Sequence, residues 1–77
     1  MDRINKEDIV KHFKGGYYKI ITMYALDSED TSKRYVVYQS LKDKQVWVRN
    51  YDMFMSKVDK EKYPDVEQTY RFEVVGD

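Results

Sequence analysis

The ten residues Tyr17-Tyr18-Lys19-Ile20-Ile21-Thr22-Met23-Tyr24-Ala25-Leu26 contain no glycine or proline and are mostly aromatic or aliphatic. That composition suits a pleated, half-buried surface and predicts one long β-strand. Period 2 places Tyr18, Ile20, Tyr24 and Leu26 on one face and Tyr17, Lys19, Ile21 and Met23 on the other, so the first set is the better core face. Gly15-Gly16 just before it reads as a turn. The polar run Asp27 to Lys33 just after it reads as a loop at a hairpin end.

Downstream, Arg34 to Leu41 and Gln45 to Arg49 flank Lys42-Asp43-Lys44, a pattern of two strands joined by a tight polar connection. A three-residue loop sets Gln39 opposite Trp47. Val36, Tyr38, Val46 and Val48 then share the buried side, and Val37, Gln39, Trp47 and Arg49 share the other. A slip of one residue instead buries Val37, Gln39 and Leu41 with Val46 and Val48. The first register keeps the Gln39 amide out of the core and is preferred here.

At the start of the chain, Asn5 is a candidate N-cap, Glu7 and Asp8 stand where a helix dipole favours acids, and Ile4 and Ile9 have the spacing of a hydrophobic staple. These signals predict one or two helical turns before an extended Val10 to Phe13. Asn50-Tyr51-Asp52-Met53-Phe54 reads as a capped single helical turn, and Met55 to Val58 as a short strand. Asp59 to Val66, with alternating charges around Pro64, is a solvated loop, and Thr69 to Val75 is a closing strand that points Tyr70, Phe72 and Val74 one way. The expected fold is all-β: a small five- to six-stranded antiparallel barrel of the Src-homology-3 type, with a short N-terminal helical turn and one helical turn near Tyr51 to Phe54. A single domain spans 1–77, with an N-terminal segment at 1–10 and the barrel at 11–75. Closure would remove the exposed strand edges.

Composition narrows the chemistry. Seventy-seven residues leave room for one core, and 16% aromatic content, mostly tyrosine, is incompatible with a disordered tail. There is no cysteine, which removes disulfides, thiol catalysis and thiolate zinc sites and fits a reducing cytoplasm. Met1 to Asp8 lacks the apolar core of a signal peptide, and no apolar run approaches the ~18–20 residues that cross a bilayer, so a cytoplasmic protein without membrane contact is expected.

Several segments together resemble one family: His12-Phe13-Lys14-Gly15 with Tyr17-Tyr18, then Val36-Val37-Tyr38-Gln39, then Trp47-Val48-Arg49 followed by Met53-Phe54. From about His12 to Phe72 the chain is similar to the bacterial and phage proteins grouped as domain-of-unknown-function 1653. The resemblance implies a small stand-alone β domain and no assigned activity. Two positions depart from the family pattern: Ala25-Leu26-Asp27 stands where members carry a histidine after the alanine, and Asn50 stands where a proline usually follows Trp-Val-Arg. His12 therefore has no second histidine to work with.

His12 is the one side chain that titrates near neutrality, so an enzyme would centre on it, but a lone histidine beside a turn is more often a packing residue. Ser28, Ser32, Ser40 and Ser56 lie in no Gly-x-Ser-x-Gly elbow. Asp27, Glu29 and Asp30 lack the glycine and ligand spacing of a calcium loop, and Gly15-Gly16 alone makes no phosphate loop. No catalytic residue, metal or cofactor is assigned. Single-stranded nucleic acid could stack on Tyr17, Tyr35 and Trp47 beside Lys14, Lys19, Arg34 and Arg49, yet fourteen basic residues balance fourteen acidic ones and leave a surplus for phosphate only locally, around Lys11, Lys14 and Lys19. The sharpest surface feature is Trp47, Arg49 and Gln39 together, with His12, Lys14 and Tyr17 as neighbours: an indole, a guanidinium and an amide suited to a peptide, a protein partner or a small planar ligand. Against it, Trp47 is core in the other register, with Arg49 held by a carboxylate such as Asp52. Non-enzymatic binding is the favoured reading, and nucleic-acid binding through the same face is the alternative.

Overall fold

The computed structural model describes residues 3–75 and contains five strands, β1 (Ile9–His12), β2 (Tyr17–Asp27), β3 (Asp30–Ser40), β4 (Val46–Asn50) and β5 (Phe72–Val74), with one helical turn, α1 (Tyr51–Phe54), after β4. The residues at 1–2 and 76–77 lie outside this description. All pairings are antiparallel and the strand order is β4-β3-β2-β1-β5. β4 and β5 are the two edges, so the sheet is not closed into the expected barrel. It is nevertheless strongly curled: the Arg49 guanidinium on one edge strand lies 5.8 Å from the Phe72 ring on the other.

The concave face is covered by non-strand segments. Ile4, Phe54 and Val58 are buried with Val10, Ile20, Met23, Val36, Tyr38 and Phe72. Phe54 stacks on Phe72 with ring centroids 4.0 Å apart and planes 9° apart. Each such large apolar side chain contributes roughly 1.5–3 kcal/mol by leaving water. No helix among the described residues is long and apolar enough to cross a membrane.

The expected N-terminal helical turn does not form. Asp8 N–H donates to Asn5 O at 3.1 Å, Asn5 N–H donates to the Asp8 carboxylate at 2.8 Å, and Glu7 adopts φ 78°, a left-handed conformation that ends any right-handed helix. Ile4 is drawn into the core instead. Arg3 fastens this segment by donating to Phe72 O at 2.8 Å and Met55 O at 3.2 Å while its guanidinium lies over the Tyr70 ring.

β2 is one long strand as its composition requires, but the core face changes along it. Pairing with β3 shifts between Ile20 and Thr22 and again between Thr22 and Ala25. At these irregularities the Thr22 hydroxyl accepts from Tyr24 N–H at 3.0 Å, and Arg34 Nε donates to Met23 O at 2.9 Å. Met23 is thereby buried, whereas Tyr24 and Leu26, expected in the core, are 65% and 50% exposed. An extra residue in one strand inverts the alternation beyond it. The Asp27 to Lys33 stretch is mostly strand: Asp27 pairs with Asp30 around Ser28-Glu29, and the Asp27 and Asp30 carboxylates accept the N–H groups of Glu29 and Ser32.

The β3–β4 pairing is the one-residue slip of the preferred register, with Val37, Gln39, Val46 and Val48 on one face, but it is the opposite face that is buried. Tyr38 pairs with Trp47, Val36 with Arg49, and Val37 with Val48. The loop is one residue longer than expected, because Ser40 N–H donates to Gln45 O and Lys44 takes φ 64° without being glycine. Val36 and Tyr38 are buried as expected, but Val46 and Val48 are exposed on the convex face. Asn50 does cap α1, its side chain accepting from Asp52 and Met53 N–H at 2.9 and 3.2 Å. The segment Met55 to Val58 makes a single bridge, Lys57 with Tyr70, instead of a strand.

Candidate functional site

The curl of the sheet leaves a hollow of about 150 Å³ lined by His12, Tyr18, Tyr38, Trp47, Arg49 and Phe72. Every strand contributes. His12 faces Phe72 across β1–β5, and Tyr38 faces Trp47 across β3–β4, so both pairs point to the concave side. The back wall is aromatic: Tyr38 lies 5.2 Å from Tyr18 and 5.3 Å from Phe72, both edge-on. Such edge-to-face pairs add to the burial of the rings and hold the wall in one arrangement. Trp47 forms the lip, 51% exposed.

Two polar groups face this wall. Arg49 Nε donates to the Tyr38 hydroxyl at 3.2 Å. The ion pair found among the described residues joins Lys19 to Glu7, so no described carboxylate neutralises Arg49. His12 lies 4.8 Å from the rings of both Phe13 and Phe72. Burial lowers its pKa to about 4, and the positive charges of Arg49, Arg71 and Lys14 add to the effect. The imidazole is thus neutral at pH 7. Its Nδ1 accepts from Lys14 N–H at 3.1 Å, which puts the ring proton on Nε2 and makes that atom a donor. Gly15 and Gly16, at φ 106° and 89°, carry the chain round the adjoining turn, in which Gly15 N–H donates to His12 O at 2.8 Å and His12 N–H donates to Gly16 O at 3.1 Å.

Of the six expected site residues, the hollow brings together Trp47, Arg49 and His12. Gln39 is elsewhere: it shares the convex face with Val46, and its amide donates to Lys44 O at 2.8 Å within the loop. Tyr17 is also on that convex face, opposite Lys11, and Lys14 reaches over the rings of Phe13 and Tyr63. Tyr18, Tyr38 and Phe72 complete the wall; the period-2 reading gave Tyr18 and Tyr38 only as core and Phe72 only a shared face with Tyr70 and Val74. The sign that they also bound a site is Tyr38 pairing with Trp47, which depends on the loop length. Arg49 is not held by Asp52.

A larger depression of about 490 Å³ lies at the β5 edge, lined by Lys11, Phe13, Val66, Glu67, Gln68 and Glu73. Its two central polar side chains are engaged in the fold. Gln68 Nε2 donates to the carbonyls of Lys11, Tyr70 and Arg71, and the Glu73 carboxylate accepts from Thr69 and Tyr70 N–H. The remaining charged side chains there, Lys11 and Glu67, are of opposite sign and Phe13 is the one ring in the lining, so the smaller aromatic hollow is the better candidate.

Residues 8–74 match the family model described as protein of unknown function (DUF1653). The chain belongs to the DUF1653 family. Comparison with curated proteins and with solved structures returned no match. All six residues around the hollow fall inside the matched span.

Proposed function

We propose that this DUF1653 domain is a non-enzymatic binding module whose hollow takes one planar, negatively charged group carried by a peptide, a protein partner or a small molecule. The observation that carries this is the Arg49 guanidinium facing a wall of rings with no described carboxylate beside it. A cavity of ~150 Å³ has room for about one six-membered ring. A ring in it would lie against Trp47 and Phe72, while a carboxylate or phosphate on the ring would receive charge-assisted hydrogen bonds from Arg49 and a further one from His12 Nε2–H. Two or three such contacts support a Kd between about 1 mM and 1 µM. The neutral histidine argues for recognition over acid–base chemistry, because with a pKa near 4 it carries no imidazolium proton for a general acid at pH 7 and is a weak base, while its Nε2–H can still donate a hydrogen bond. The lack of cysteine fits action in the cytoplasm.

Single-stranded nucleic acid is the second reading, favoured by the positive charges of Arg49, Arg71 and Lys14 around the same histidine. Trp47 is the single tryptophan and stands at the lip, so its fluorescence reports occupancy. Benzoate, phenyl phosphate, short peptides with a free carboxyl terminus and oligothymidylate should be titrated against it. Saturable quenching by the small anions is expected, weakened at least about tenfold in a folded Arg49→Ala variant. Steep loss of oligothymidylate binding with added salt would favour the nucleic-acid reading, because each phosphate contact releases counterions. Equal affinities for wild type and Arg49→Ala would sink the site.

A further inference from the structure

The edge strand β4 presents a row of unused backbone groups. Ser40 N–H donates to Gln45 O at 2.9 Å and closes the β3–β4 hairpin as a hydrogen-bonded pair. Bonded and non-bonded pairs alternate along an antiparallel ladder. From Ser40 with Gln45 onward, Tyr38 with Trp47 and Val36 with Arg49 are the bonded pairs. The N–H and C=O groups of Val46 and Val48 therefore point away from β3, and their side chains are 48% and 62% exposed. The strand carries no proline, lysine or bulge to discourage a newcomer.

We propose that β4 is a homodimer edge, at which a second copy of this chain pairs antiparallel about a two-fold axis at Val48. Outward-pointing groups can meet symmetrically near the middle of the strand in three registers. An axis at Arg49 sets two guanidiniums against each other, and an axis at Trp47 pairs only the residues from Val46 to Val48. The axis at Val48 engages the whole of β4. Val46 then faces Asn50 of the partner subunit, and Trp47 faces Arg49 of the partner subunit, with the reciprocal pair on the other side of the axis. Trp47 and Arg49 become a non-hydrogen-bonded cross-strand pair, the closer kind, with a cation against an indole. Val48 lies on the convex face, away from the hollow, whereas Trp47 and Arg49 line it, so the pairing also sets the lips of the two hollows side by side.

Sedimentation equilibrium of the full chain from about 1 µM to 1 mM tests it. The wild type is expected to pass from the mass of one chain to that of two. Val48→Lys, which places like charges together on the axis, should raise the dissociation constant at least about tenfold, while at concentrations low enough to keep single chains its Trp47 titration with benzoate should match that of the wild type. Since the chain has no cysteine, single cysteines read the register. Val48→Cys should form a disulfide-linked dimer under mild oxidation, because residues on the axis meet at ~5.5 Å between Cα atoms. Val46→Cys should not, since it faces Asn50 of the partner subunit. One-chain mass at every concentration, unchanged dimerisation of Val48→Lys, or crosslinking of Val46→Cys as fast as Val48→Cys would overturn the proposal.

Discussion

The two edges of the sheet are built in opposite ways. β5 is three residues long and heavily tied down: Glu73 accepts two backbone N–H groups, Gln68 donates to three carbonyls, and Arg3 donates to Phe72 O. Its central ring, Phe72, is almost fully buried. β4 is five residues long, and three consecutive apolar side chains, Val46, Trp47 and Val48, stand about half exposed or more. Short length and side-chain caps are how a sheet edge is kept from pairing, and here only one edge has them. The covered edge contributes the rigid wall of the hollow, and the bare edge contributes its adaptable lip.

The largest effect that could break this contrast is at Phe72. Phe72→Ala should cost about 3–5 kcal/mol in urea unfolding, because the ring touches Phe54, Tyr38, Tyr18 and His12 and leaves a cavity. A loss near zero would mean that the β5 edge is not part of the core. Next, Val36→Ala should cost about 1.5–3 kcal/mol, while Val48→Ala at the same protein concentration, low enough to keep single chains, should stay within about 0.5 kcal/mol. Equal losses would show that the valines of β4 face inward after all. Asn50→Ala, which removes the cap joining the bare edge to α1, should cost about 0.5–2 kcal/mol, read as a lower thermal midpoint.

The smallest effect expected is a pH dependence. The folded-state pKa of His12, about 4, lies below its ordinary 6.5. Between those values the unfolded chain holds a proton that the folded chain refuses, so stability is full above pH 6.5 and declines as pH falls towards 4. Carboxylates elsewhere titrate over part of the same range, so the comparison is with His12→Gln: the urea midpoint of the variant should fall less between pH 7 and pH 5 than that of the wild type. Parallel curves would place the imidazole in water, away from Phe13 and Phe72.

Where a signal was local, the sequence carried it. Asn50 ahead of Tyr51 to Phe54 is a cap because its side chain needs only the next three residues. Gly15-Gly16 is a turn because both glycines take positive φ. The N-terminal segment looked equally local and misled, because Asn5, Glu7 and Asp8 serve a tight turn as readily as a helix, and burying Ile4 favours the turn. The candidate site was partly legible: Trp47, Arg49 and His12 line one hollow, but Gln39 is separated from them by the thickness of the sheet.

The all-β class, the long strand at Tyr17, the hairpin around Lys42-Asp43-Lys44, the helical turn after Asn50 and the family resemblance were all present in the order of residues. Which valines are buried, which rings line the hollow, and whether the sheet closes were decided only in three dimensions. The physical reason is parity. A strand pattern states that neighbours alternate, and each irregularity in β2 and each added loop residue resets which half of the alternation faces the core. Thr22 with Tyr24 and Lys44 at φ 64° reset it through contacts that no period in the sequence announces.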